Sequence, residues 1–62
     1  MKLYHEGTLL KDCVGDLWII TGRSRHWKTG PDCYDIVRLC DGFRKKPVYK
    51  IVQREYDLVS EG

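Results

Sequence analysis

The chain has 62 residues, 11 basic and 9 acidic, for a formal net charge of +2, and it is 42% hydrophobic and 32% charged. A chain this short makes one domain, buries only about 60% of the surface its unfolded form exposes, and leaves little room beside its core for a deep cavity. That argues against a self-contained metabolic enzyme or a small-molecule substrate, and the apolar content is too high for the composition of a disordered chain. The longest apolar run, Leu17 to Ile20, is far short of the roughly 20 residues a membrane helix requires, so no membrane partner is expected.

In chain order, Met1 to Gly7 has a single Lys and no apolar stretch after it, and the expectation is a cytoplasmic protein. Gly7-Thr8-Leu9-Leu10-Lys11-Asp12 reads as the first strand, and Asp12 to Gly15 supplies turn chemistry. Asp16-Leu17-Trp18-Ile19-Ile20-Thr21 is the most β-prone segment, and Gly22 opens a polar loop that runs to Asp32 through the breaker pair Gly30-Pro31. Tyr34 to Cys40 is the third strand, followed by Asp41-Gly42, the best hairpin signal in the chain. Val48 to Gln53 is expected as the fourth strand, and Arg54 to Ser60 has room for one tight helical turn and a closing strand. No segment keeps a 3.6-residue period over a dozen positions, so no long helix is expected. Four or five short strands at this spacing predict an all-β fold, a small antiparallel barrel. Trp18-Ile19-Ile20 and Ile36-Val37 offer apolar side chains to both faces, and the expected core is Leu9, Val14, Leu17, Ile19, Val37, Leu39, Val48, Ile51, Leu58 and Val59.

Gly7 to Asp12, Gly15 to Gly22, the Tyr34 to Gly42 hairpin and the Arg54 to Ser60 ending together resemble the SH3-like barrel class, including its KOW and Tudor-type variants. The layout is also similar to that of small SH3-like proteins of tailed bacteriophages. The resemblance implies a four- to five-stranded barrel with a short helical turn before the last strand. It informs fold more than function. The acidic first long loop of true SH3 domains is replaced here by a basic one, which puts binding of proline-rich ligands in doubt.

Charge is unevenly placed. Between Asp16 and Asp32 lie Arg23, Arg25 and Lys28 without an acid, and between Asp41 and Glu55 lie Arg44, Lys45, Lys46, Lys50 and Arg54, again without one. Each window carries an aromatic, Trp27 in the first and Phe43 in the second. Cations neutralise phosphates and open aromatic faces stack on unpaired bases, so Arg23, Arg25, Trp27, Lys28, Phe43, Arg44, Lys45 and Lys46 are the candidate contact residues for nucleic acid. The same residue types suit an acidic protein surface, with Trp27 as anchor. A basic loop also serves simply to keep a protein soluble, and Trp27 either packs on the end of the barrel or is held out for a ligand. A shared surface requires the Trp27 and Phe43 segments to meet on one end of the fold.

Cys13, Cys33 and Cys40 are odd in number and read as reduced, structural thiols. With His5 and His26 they offer zinc-type donors, yet there is no C-x₂₋₄-C pair, and no metal or other cofactor is expected. Tyr34, Tyr49 and Tyr56 are candidates for an aromatic cage around a methylated cation. The sequence has no nucleophile elbow and no phosphate-cradling glycine loop, so a binding module and not an enzyme is expected.

Overall fold

The computed structural model describes residues 4–25 and 32–61. Its elements are β1 (Leu9–Lys11), β2 (Leu17–Arg25), β3 (Asp32–Arg38), β4 (Arg44–Lys45), α1 (Tyr49–Glu55) and β5 (Asp57–Ser60). The five strands form one sheet in the order β4-β3-β2-β1-β5, antiparallel throughout.

Two aspartates build the tight turns. The Asp12 carboxylate accepts from Val14 N (3.1 Å), Asp16 N (2.9 Å) and the Trp18 indole Nε1 (2.9 Å). Gly15 takes φ 94° there, a left-handed conformation that costs glycine least. Asp41 does the same work between β3 and β4, accepting from Phe43 N (3.0 Å) and from Arg38 Nε (3.0 Å) and Nη2 (2.7 Å). Both turns fall where the sequence signals place them.

Three expectations are corrected. The segment from Val48 to Gln53 is not a strand, because α1 occupies residues 49–55. Val48 is the extended N-cap (φ −66°, ψ 152°), and Tyr49, Val52 and Tyr56 follow at helical spacing, so one face of the helix carries all three inward. Val52 is fully buried, and this burial outweighs the β propensity of Val48, Ile51 and Val52. The polar stretch after Gly22 is not all loop, since β2 continues to Arg25, paired with Asp32. A bulge between Ile20 and Gly22 separates this arm from the body of the sheet.

The third correction concerns strand faces. The core is Leu10, Trp18, Ile20, Tyr34, Ile36 and Val52, with Thr8 and Cys33 also buried. Strands alternate, and Leu9, Leu17, Ile19 and Val37, expected inside, lie one position out of phase with the buried residues of their strands. Leu9, Ile19, Val37, Val48 and Ile51 are half-buried, while Leu17, Leu58 and Val59 are exposed, as are Val14 (77%) and Leu39 (51%). The aromatics decide the face. Trp18 and Tyr34 have the most surface to hide, and each finds a partner for its polar atom, the indole donating to Asp12 and the Tyr34 hydroxyl accepting from Tyr4 N at 2.9 Å.

The sheet is not closed, and β4 and β5 are its edges. The chain between them is spent on α1, which covers the core where a longer fourth strand would have extended the sheet. Among the described residues, no helix is long and apolar enough to cross a membrane.

Candidate functional site

The second basic window runs along the β4 edge. Phe43, Arg44, Lys45 and Lys46 are all exposed and follow one another directly from the Asp41-Gly42 turn. Register divides them between faces: Lys45 pairs with Ile36, whose side chain is in the core, whereas Arg44 pairs with Val37 on the outer face. The row Leu9, Ile19, Val37, Arg44 crosses four strands on that outer face.

Phe43 meets Trp18 edge to face, with ring centroids 6.4 Å apart and planes at 72°. The Arg38 guanidinium lies 5.2 Å from the Phe43 centroid and 5.5 Å from that of Trp18, and Lys45 Nζ lies 5.9 and 5.3 Å from the same two rings. These distances fall in the range of cation–π attraction. Arg38 also forms a two-pronged bond to Asp41 and lies 3.7 Å from Asp16. The Arg38 hydrogen bonds, supported by Phe43 N–H, hold the Asp41 carboxyl down at about 2, and Asp41 in turn pushes Arg38 further above its ordinary value. Asp12 is likewise lowered, chiefly by the Trp18 indole hydrogen bond and then, against its own desolvation, by backbone N–H groups of the turn.

Beside β4 the outer face opens into a groove of about 560 Å³. Its walls are Thr21, Asp35, Ile36 and Val37 on one side and Arg44, Lys45 and Lys46 on the other. Asp35 is the acid of the groove and is already engaged. It accepts from Ser24 Oγ at 3.0 Å to each carboxylate oxygen, and Lys46 Nζ lies 3.9 Å away. Thr21 Oγ1 donates to the Asp35 carbonyl at 3.2 Å. Arg44 has no ion pair among the described residues, so the groove presents excess positive charge.

Comparison with family models, with curated proteins and with solved structures finds no match. The geometry alone therefore carries the functional reading.

Of the residues singled out from sequence, Phe43, Arg44, Lys45 and Lys46 follow the β4 edge, Phe43 and Lys45 toward Trp18 and Arg44 and Lys46 on the opposite face. Arg23 is exposed on the β2 arm opposite Tyr34, whose other neighbour is Pro47 through a 3.0 Å hydrogen bond from Tyr34 N. It is thus about 10 Å across the sheet from the Lys46 end of β4. Arg25 pairs with Asp32, six residues along β3 from Arg38 and hence about 20 Å from the level of Phe43. Trp27, Lys28 and His26 lie outside the described residues. The proposed cage does not assemble as read: Tyr34 is buried beneath Tyr4 at a ring separation of 6.0 Å, and Tyr56 packs against Trp18 at 6.1 Å. Cys33 is buried, whereas Cys13 and Cys40 are exposed and not packed as small hydrophobes.

Arg38 was not among the sequence candidates, although it belongs to the cluster. Its signal is the Asp three positions on, Asp41, at the spacing that lets a strand-end arginine fold back over a turn. Asp35, Ser24 and Thr21 carried no comparable signal, because their meeting depends on the bulge in β2.

Proposed function

We propose that this chain is a non-enzymatic binding module of SH3-like layout that contacts nucleic acid through its β4 edge. The strand order β4-β3-β2-β1-β5, with a short helix leading into the last strand, supports the SH3-like reading. The observation that carries the function is the groove, where Arg44, without an ion pair among the described residues, and the exposed Lys46 stand beside one carboxylate, Asp35, that Ser24 already holds. Such a groove attracts phosphate, and binding that neutralises two phosphates weakens with salt at a log–log slope of about −1.4 to −1.8. Titration with single-stranded and duplex oligonucleotides at two salt concentrations tests it. Salt-sensitive binding that falls in an Arg44→Gln, Lys46→Gln double variant is expected, and no binding at low ionic strength overturns the reading.

A second reading, docking on a protein, is favoured by a different observation. Leu9, Ile19 and Val37 form a half-buried apolar row on the outer face, with Leu17 and Leu39 exposed beside it. It fits a small accessory protein of the phage type that modulates a host or viral partner. A partner retained after nuclease treatment and lost on Leu39→Ser supports it, and a partner released by nuclease returns the argument to nucleic acid.

A further inference from the structure

We infer that the ligand of the β4 edge is a single-stranded nucleic acid that crosses this unpaired edge, one of its bases stacking on Phe43 on the inner side while Arg44 and Lys46 on the outer side hold the adjoining phosphates. The inference rests on the nucleic-acid reading above and assigns that ligand its strandedness and its stacking residue.

Phe43 stays 49% exposed although it borders the buried ring of Trp18. Its backbone explains why. Phe43 N donates to Asp41 Oδ1 at 3.0 Å and its carbonyl accepts from Arg38 N at 2.8 Å, so the residue is pinned at the head of β4 and cannot sink into the core. Because the two rings meet at 72°, Trp18 covers only part of Phe43. Arg38 and Lys45 place positive charge within 6 Å of the same ring. Lys45 shares the face of Phe43, whereas Arg44 and Lys46, whose backbones lie one and three residues along the strand at about 3 and 10 Å, project from the other side of the same open edge. An aromatic platform with cations on both sides of an open strand edge suits a single strand that crosses the edge: the ring takes the base, and the cations meet the backbone.

A duplex does not use this arrangement, since its bases are stacked on each other and reach a ring only after extrusion. Reading a duplex in its major groove takes a helix or a two-stranded ribbon. The helix α1 is committed elsewhere, with Val52 in the core and Tyr49 and Tyr56 packed against it, and the two-stranded arm at Arg25 and Asp32 lies about 20 Å along β3 from the level of Phe43, so neither brings a duplex to this ring.

The test uses the full chain with a short oligothymidine, the duplex of the same length, and oligoglutamate as competitor. At equal salt the single strand is expected to bind more tightly than the duplex. Phe43→Leu, which retains an apolar side chain beside Trp18, is expected to weaken single-strand binding by about 5- to 150-fold and to leave duplex binding unchanged, while Phe43→Tyr retains it. A thermal melt checks that Phe43→Leu is folded. Should it not fold, photocrosslinking of a bromouridine oligonucleotide to the native chain gives a second readout, with the adduct expected on Phe43. Equal affinity for duplex and single strand, a folded Phe43→Leu that binds like the native chain, or an adduct on another residue overturns the inference and leaves the nucleic-acid reading standing. Displacement by oligoglutamate at the same concentration as by oligonucleotide overturns both in favour of an acidic protein surface. Absence of any salt-sensitive binding removes both.

Discussion

Ile19 and Ile20 are neighbours of identical composition that the pleat sends to opposite faces, and they test the assignment of the core directly. Ile20 is 1% exposed and pairs with buried Ile36, whereas Ile19 is half-buried in the outer row between Leu9 and Val37. Removing one methyl group from a packed interior costs about 1 kcal/mol, the middle of the range for Ile→Val. A domain of this length has a total stability of about 3–9 kcal/mol, and each kcal/mol moves its melting temperature by about 4–8 °C. Ile20→Val is therefore expected to lower the melting temperature by about 4–8 °C and to shift the urea midpoint in step. Ile19→Val, which leaves no sealed void because solvent already reaches that face, is expected to cost less than half as much. Thermal and urea melts followed by circular dichroism measure both on the same day and in the same buffer. Equal losses, or a larger loss at Ile19, would refute the face assignment and with it the placement of Arg44 on the outer side.

Two further outcomes follow from specific contacts. Asp41 titrates at about 2 in the folded chain against an ordinary 3.8, so the stability it contributes is fully present above pH 4 and is lost as pH falls towards 2. An Asp41→Asn variant should accordingly show a shallower decline than the native chain across that interval, and an unchanged acid limb contradicts the Arg38 pairing. Val52→Ala removes two buried methyl groups where α1 meets the core and is expected to cost about 2 kcal/mol by urea denaturation. A cost below about 0.5 kcal/mol means that α1 is not docked as described.

The turns were legible because each depends on residues close in sequence, an aspartate that caps backbone N–H groups and a glycine that takes positive φ. The faces of the strands were not. Trp18-Ile19-Ile20 and Ile36-Val37 satisfy either phase, and the choice was made by Trp18 and Tyr34 finding Asp12 and Tyr4 for their polar atoms, contacts formed only on folding. The helix had a readable signal in the three- and four-residue spacing of Tyr49, Val52 and Tyr56, masked by the β-branched residues between them. The arm of β2 beyond Gly22 was hidden for another reason: it is held by backbone pairing and by Ser24 on Asp35, with no apolar alternation to reveal it. At the site, the acid-free windows located the cations of β4. Sequence could not show that Arg38 and Lys45 would rest on aromatic rings while Arg44 has no counter-ion among the described residues.

The bulge at Ile20 and Gly22 gives this small molecule a modular seam. On its near side the alternation of inward side chains is tied to Trp18 and Ile20, and on its far side the Ser24–Cys33 and Arg25–Asp32 rungs keep their own count. Those rungs still serve the interior, because Cys33 and Tyr34 on β3 are buried there and Ser24 on β2 holds Asp35. The bulge thus takes up the odd residue once, so that β2 stays paired with β3 on both sides of it.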